Sequence, residues 1–198
     1  FCRHAKAGAS RLWDQLKDYA KLPLLKRLVF RVLSHHAGQD VRVEGIDIFC
    51  AIDTSREGHI TVDMLAKFLP TVDESELEEV FKHADLSGVG HLTVNAFLAV
   101  FFQGRKLLKP ELSRAFHHLV QDSEGGEVLT EECLAAFANE TAPLDTIVSD
   151  LANAVSFSGE HNVYPDDDPR HPGSVASKGE LTLAGFVKYM ASTDCSVT

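Results

Sequence analysis

The chain contains two closely similar ten-residue segments, and this repeat constrains its fold more than any other feature. The copies read DTSREGHITV from Asp53 and DLSGVGHLTV from Asp85. Both have Asp at position 1, Ser at 3, Gly at 6, His at 7, an aliphatic residue at 8 and Thr at 9. Apolar residues spaced three and four apart flank each copy, which predicts two consecutive helix–loop–helix units. In the helix before the first copy, predicted at 40–52, the expected core positions are Val43, Ile46, Phe49 and Ile52.

The repeated segment resembles the calcium loop of an EF-hand. In that loop, oxygens at positions 1, 3, 5, 7 and 9 surround the ion, Gly at 6 makes the turn, and a bidentate Glu at 12 completes the site. The predicted ligands of the first loop, 53–64, are Asp53, Ser55, Glu57, His59 and Thr61. Weaker candidates in the second loop, 85–96, are Asp85, Ser87, His91 and Thr93. Position 12 is Met64 or Ala96, so calcium binding is predicted to be weak or absent, with the first loop the best candidate.

The aliphatic residues at position 8 of the two loops, Ile60 and Leu92, are expected to form the short antiparallel bridge of paired EF-hands. A third, less regular loop is predicted at about 120–133, and its register has two solutions. Counting back from the helix that follows makes Cys133 position 12, Leu129 position 8 and Asp122 position 1. Counting forward from the preceding helix puts Val120 at position 1, so the two counts differ by two residues. With the register open, Glu132 is a further candidate for the twelfth ligand.

The fourth loop, at about 156–185, departs furthest from the pattern. Most of it is the insert 158–176, which is rich in Pro, Gly, Asp, Ser and His and is predicted to be a mobile surface loop. Its positions 1, 3 and 5 would be Ser174, Ala176 and Lys178, which is no recognisable ligand set. The run 166–168 of three Asp residues is more typical of a solvated acidic segment than of a cation site.

The N-terminal residues 1–36 form a basic head on an acidic body. They hold eight of the 19 Lys and Arg residues and only two of the 29 Asp and Glu residues. Segment 11–36 has helical apolar spacing, and Pro23 predicts a kink or two helices. The segment is either a surface helix packed on its neighbours or a target helix lying in an EF-hand groove. The predicted docking residues are Trp13, Leu16, Leu25, Leu28, Val29 and Val32.

Several other classes of protein fit the composition poorly. No apolar run approaches the roughly 20 residues of a membrane helix, and the N-terminus lacks the layout of a secretory signal. The scattered cysteines predict reduced thiols in a cytoplasmic protein; they are Cys2, Cys50, Cys133 and Cys195. The acidic body argues against a nucleic-acid partner. The adjacent histidine pairs 35–36 and 117–118 point to different helix faces, so they make poor zinc sites.

Taken along its length, the chain resembles the C-terminal regulatory region of plant and apicomplexan calcium-dependent protein kinases. The similar stretches are YAKLPLLKRLVFRVL at 19–33, FCAIDTS at 49–55, FLAVFF at 97–102 and KLLKPELSRAF at 106–116. The resemblance implies an all-α EF-hand fold with two calmodulin-like lobes. The expected parts are a junction helix at 1–36, a lobe at 37–104 and a lobe at 105–198.

In that family the junction helix restrains the kinase at low calcium, and calcium closes the lobes around the helix. This chain has no Gly-rich phosphate loop, His-Arg-Asp or Asp-Phe-Gly motif, so it is not expected to be an enzyme itself. The resemblance implies a regulatory domain that binds its own junction helix and controls an attached Ser/Thr kinase domain. The alternative is a stand-alone EF-hand adaptor that binds a helix of another protein.

Overall fold

The computed structural model describes residues 2–36, 38–102, 105, 107–120, 128–135, 144–158 and 180–192. Within those residues the fold is all-α and EF-hand-like, as predicted, with ten helices and four two-residue strands. The chain divides into two compact units, the first of which contains the residues up to Arg105.

The first unit holds two N-terminal helices followed by two helix–strand–helix units. In chain order its elements are α1 Cys2–Ala20, α2 Leu24–His35, α3 Gln39–Ile52, β1 His59–Ile60, α4 Val62–Phe68, α5 Glu74–Ala84, β2 Leu92–Thr93 and α6 Val94–Val100. The second unit repeats the helix–strand–helix pattern. Its elements are α7 Lys109–Val120, β3 Val128–Leu129, α8 Glu131–Ala135, α9 Leu144–Ser158, β4 Leu181–Thr182 and α10 Leu183–Ala191.

The basic head forms two helices, as Pro23 predicts. Pro23 has φ −51° and ψ 146° and directly precedes α2. Its ring fixes φ and supplies no N–H, so it suits the start of a helix and not the interior of one. The first helix begins at Cys2 and is therefore longer than the apolar pattern from residue 11 indicated.

The strands join the loops in pairs. In the first unit β1 and β2 are antiparallel with Ile60 opposite Leu92, which confirms the predicted bridge at position 8. In the second unit Leu129 lies opposite Leu181 in the same way. All four of these side chains are completely buried. Each bridge therefore fixes two loops side by side over an apolar core.

The N-terminal helices form part of the core of the first unit. Helix α2 packs along α6, and α1 packs along α5. The ring of Phe30 stacks between Tyr19 and Phe102, with centroid distances of 6.4 and 6.2 Å. Because burying one large apolar side chain contributes about 1.5–3 kcal/mol, these contacts are a substantial share of the unit's stability.

The sequence pattern predicted the wrong core face for part of α3. Val43 and Ile46 are 55% and 38% exposed, whereas Phe49 and Ile52 are buried as expected. The helix approaches α6 at Gly45, where an added Cβ would collide with the side chain of Leu98. The inward face therefore begins at a glycine, which carries no apolar signal, and Val43 and Ile46 lie on other faces.

Candidate functional site

The candidate site is the pair of loops 53–64 and 85–96, and each loop is folded around its first residue. In the first loop, Asp53 Oδ1 accepts hydrogen bonds from Ser55 Oγ and from the Glu57 backbone N–H, both at 3.1 Å. Its Oδ2 accepts one from the Gly58 N–H at 2.8 Å. Asp53 is 6% exposed, so its carboxylate is the centre about which the loop turns.

Asp85 has the corresponding contacts in the second loop. Its Oδ1 accepts from Ser87 Oγ at 2.8 Å, and its Oδ2 accepts from the Gly90 N–H at 2.7 Å. The glycines at position 6 adopt left-handed φ angles, +78° at Gly58 and +81° at Gly90, which explains why both copies need Gly there. The two loops thus have the same internal scaffold.

The hydrogen bonds to Asp53 alter its acidity. Partial desolvation is the largest single influence and acts to raise the pKa of Asp53. The backbone N–H groups of Gly58 and Glu57 and the Ser55 hydroxyl together outweigh it, so the pKa of Asp53 lies below its ordinary value. At neutral pH this carboxylate is ionised and fixed at position 1 of the loop.

Position 9 explains how the second helix of each helix–strand–helix unit begins. In all four of these helix–strand–helix units, the Thr hydroxyl at position 9 accepts a hydrogen bond from the backbone N–H of position 12. The pairs are Thr61 with Met64, Thr93 with Ala96, Thr130 with Cys133 and Thr182 with Gly185, at 3.4, 3.4, 3.4 and 3.2 Å. A Thr cap of this kind stabilises a helix start by about 1 kcal/mol. The helices therefore begin without a carboxylate at position 12.

These caps also settle the register of the two irregular loops. They place Cys133 and Gly185 at position 12, in agreement with Leu129 and Leu181 paired at position 8. The count back from the exit helix is therefore correct for the third loop, and Glu132 is at position 11. The other count fails because Val120, its proposed first ligand, is a buried residue of α7.

The two loops of the first unit differ at positions 4 and 5. Position 4 has a left-handed φ in both, +60° at Arg56 and +63° at Gly88, so the first loop places a non-glycine residue in a conformation that costs about 1–2 kcal/mol. Position 5 is Glu57 in the first loop and Val89, 57% exposed, in the second. Only the first of these two loops supplies a side-chain oxygen at position 5.

The histidines at position 7 lie side by side. The ring centroids of His59 and His91 are 4.8 Å apart, and Glu57 Oε2 lies 3.3 Å from His59 Nε2. In a calcium loop position 7 ligates through its carbonyl, so the imidazoles are not part of the predicted calcium site. Among the described residues, no three His, Cys, Asp or Glu side chains already form a metal-binding group.

Five of the six predicted docking residues are buried in the first unit: Leu16, Leu25, Leu28, Val29 and Val32. Trp13 is only half-buried, with Lys17 Nζ 5.4 Å from its ring centroid. The spacing pattern missed Phe30, which has no exposed surface. It was missed because α2 is buried on most sides, even at Lys26, and not along a single stripe.

A polar contact between α2 and α5 was also missed. Arg27 donates from Nη1 to the backbone oxygen of His83 and from Nε to that of Leu22. The Tyr19 hydroxyl donates to the Arg27 backbone oxygen at 3.2 Å, and burial raises the pKa of Tyr19 far above its ordinary value. His83 precedes Asp85 by two residues. The Arg27 hydrogen bond therefore links the N-terminal helices to the helix that leads into the second loop.

Other predicted features have different outcomes. Asp122, the Asp run 166–168 and the remaining insert residues 159–176 lie outside the described residues. Cys50 and Cys133 are free thiols. Within the described ranges, no helix has both the length and the apolar character needed to cross a bilayer.

Comparison with known proteins supports the resemblance seen in the motifs. No protein-family model matches the chain. Calcium-dependent protein kinase 16 of Oryza sativa subsp. japonica is 31% identical over 150 residues, covering 72% of this chain and 27% of its own length. Calcium-dependent protein kinase 11 of the same organism is 26% identical over 160 residues, covering 78% and 27%.

Calcium-dependent protein kinase 33 of Arabidopsis thaliana is 23% identical over 164 residues, covering 80% of this chain and 31% of its own length. The chain thus spans less than a third of the length of these curated relatives. The matched share of the chain, its helix–loop–helix units and its paired loops lead to one identification: this chain is homologous to calcium-dependent protein kinases and is similar to their C-terminal region.

Proposed function

We propose that this chain is an EF-hand regulatory domain that binds its own N-terminal helices and controls a Ser/Thr protein kinase domain of the same polypeptide. The observation that carries the proposal is the burial of Leu16, Leu25 and Val29 in the core that α1 and α2 share with α5 and α6. The names of the relatives, which are calcium-dependent protein kinases, supply the kinase part of the proposal. We also propose a cytoplasmic location, because the free thiols of Cys50 and Cys133 suit a reducing compartment.

The contacts that hold the N-terminal helices do not use the predicted calcium ligands. These contacts are apolar, and Arg27 adds hydrogen bonds to two backbone oxygens. The positive charge of residues 1–36 against the acidic remainder orients the helices, while the apolar contacts supply most of the binding energy. Docking in this protein is therefore constitutive.

Calcium binds weakly, and the first loop is its best site. Calcium affinity follows the number of carboxylates and the presence of the bidentate twelfth ligand. The first loop has two carboxylates, Asp53 and Glu57, and the second has Asp85 alone. Position 12 carries no side-chain oxygen at Met64, Ala96, Cys133 or Gly185.

The lack of a side-chain oxygen at position 12 also uncouples calcium binding from the conformation of the domain. A ligand shifts a conformational equilibrium only by the difference in its affinity for the two states. A Glu at position 12 would couple a bound ion to the following helix, and these loops have no such group. Melting temperatures and scattering profiles in millimolar calcium and in chelator should therefore superimpose. Two or more submicromolar calcium sites in a calorimetric titration, or a clear calcium-induced compaction, would refute this part of the proposal.

Kinase control is tested in the full-length protein that carries this region. A Val29→Asp change places a carboxylate where the side chain has no exposed surface, so it should release the N-terminal helices. Released helices are free to restrain the kinase, and activity without calcium should fall severalfold. Ala51→Asp is the matched control, because Ala51 is exposed on α3. Equal activity of both variants, or a reading frame without kinase motifs, would favour the adaptor alternative.

A further inference from the structure

The imidazoles of His59 and His91 have no role in the proposed calcium site, yet the fold brings them together. Each belongs to position 7 of its loop, where the calcium ligand is the backbone carbonyl. The antiparallel pairing of β1 and β2 holds the two backbones in register. The rings are half-buried, tilted by 53° and separated by 4.8 Å between centroids. Backbone pairing therefore presents two nitrogen donors on one side of the loop pair.

A carboxylate completes the group. Glu57 Oε2 is 3.3 Å from His59 Nε2, which is longer than the roughly 2.7–2.9 Å of a charge-assisted hydrogen bond. The Glu57 side chain is 58% exposed, so it can rotate with little rearrangement of its surroundings. One oxygen donor thus lies beside the imidazole of His59, which in turn lies against that of His91.

Two separations within this group are of the size found between ligands of one small ion. Donor atoms about 2.0–2.1 Å from a tetrahedral zinc ion lie about 3.3 Å from each other, and two imidazoles that it binds have ring centres about 5 Å apart. The observed separations are 3.3 Å for His59 and Glu57 and 4.8 Å for the two rings. As the described residues are placed, no three His, Cys, Asp or Glu side chains could hold a metal ion together, so side-chain rotation is required before the three donors meet at one ion.

We propose that His59, His91 and Glu57 bind a divalent transition-metal ion of the zinc type, with water in the fourth position. Two imidazoles and one carboxylate suit such an ion, whereas calcium selects oxygen donors. Since the site is completed by side-chain rotation, its affinity is in the micromolar range, far below that of a structural zinc site. The two imidazoles have no part in the proposed calcium and kinase roles. Glu57 is the one side chain that both proposals use.

The test is a calorimetric titration of the whole chain with Zn²⁺ in excess Mg²⁺. Wild type should show one micromolar site, and His59→Asn or His91→Asn should each weaken it about tenfold or more. Glu57→Gln should weaken it by a smaller factor. His83→Asn is the matched control, because this exposed histidine of α5 is outside the group and should leave the titration unchanged.

A second measurement needs no variant. On addition of Zn²⁺, the ring-proton resonances of His59 and His91 should shift together, before those of the other eight histidines of the chain. The proposal fails if wild type binds no zinc in the micromolar range, if His59→Asn and His91→Asn titrate like wild type, or if other histidines respond first. None of these results bears on calcium binding or on the docking of α1 and α2.

Discussion

The loops 53–64 and 85–96 have one scaffold and different ligands. Both wrap around a position-1 Asp, cap the next helix with Thr and pair at position 8. They differ at position 5 and in the exposure of position 12, because Met64 is half-buried whereas Ala96 is 3% exposed. The comparison separates two properties that usually occur together. Internal hydrogen bonds and strand pairing maintain the loop shape, and the capacity to bind a metal depends on a few other side chains.

The largest expected effect comes from placing Glu at position 12 of each loop. Because Ala96 is buried, Ala96→Glu should lower the free energy of unfolding in chelator by about 2–4 kcal/mol through an unpaired carboxylate. Met64→Glu should cost less than about 1 kcal/mol and raise the calcium affinity of the first loop about tenfold or more. Urea titrations in chelator and calorimetry with calcium measure the two quantities. Equal destabilisation by both changes would contradict the comparison.

The next effect concerns the acid dependence of the first loop. The pKa of Asp53 is lowered in the folded protein, so its contribution to stability is complete above the unfolded pKa near 4 and is lost as pH falls through the lower folded value. Asp53→Asn removes this contribution, and the melting temperature should fall at pH 7. The difference between wild type and Asp53→Asn should shrink below pH ~4. A constant difference from pH 7 to pH 3 would show that the carboxylate's charge is not what holds the loop.

Exchanging position 5 should change metal binding more than stability. Val89→Glu gives the second loop the carboxylate that the first has, at a site that is 57% exposed. Unfolding free energy should change by less than about 0.5 kcal/mol, and calcium affinity should rise only severalfold, because position 12 is still Ala96. Glu57→Val is the reciprocal control and should remove the weak site of the first loop. If Val89→Glu alone created a submicromolar site, position 12 would not be the limiting ligand.

The smallest effect is expected at position 4. Arg56→Gly should stabilise the protein by up to about 1 kcal/mol, because glycine adopts the observed positive φ without a steric penalty. Gly88→Arg should have the opposite sign. Chemical denaturation of the two variants measures this pair. A destabilised Arg56→Gly variant would mean that contacts of the arginine side chain outweigh the backbone strain.

The sequence predicted the paired loops well because their signals are local. Asp at position 1, Gly at 6 and an aliphatic residue at 8 each have one backbone role, so the pairing of Ile60 with Leu92 was predicted correctly. The recurrent Thr at position 9 is a further local signal, which the spacing of apolar residues does not use. Thr130 and Thr182 cap the helices after the irregular loops. Each therefore marks position 9, and the register of its loop can be counted from it in the sequence.

The errors arose where packing, and not local pattern, decides the outcome. Gly45 carries no apolar side chain, yet it marks the face on which α3 meets α6. The burial of Phe30 and Lys26 depends on neighbours distant in sequence, so a one-sided amphipathic pattern could not predict it. The Arg27 contact with the His83 backbone oxygen likewise joins residues 56 positions apart, beyond the reach of helical spacing rules.

The Arg27 contact has a consequence for how the first unit opens. Local unfolding proceeds in cooperative units, and a side chain that bonds two elements tends to make them open together. The start of α2 and the last turn of α5 should therefore behave as one unit in native-state amide exchange. Arg27→Met should split them, so that amides near His83 exchange sooner than those inside α2.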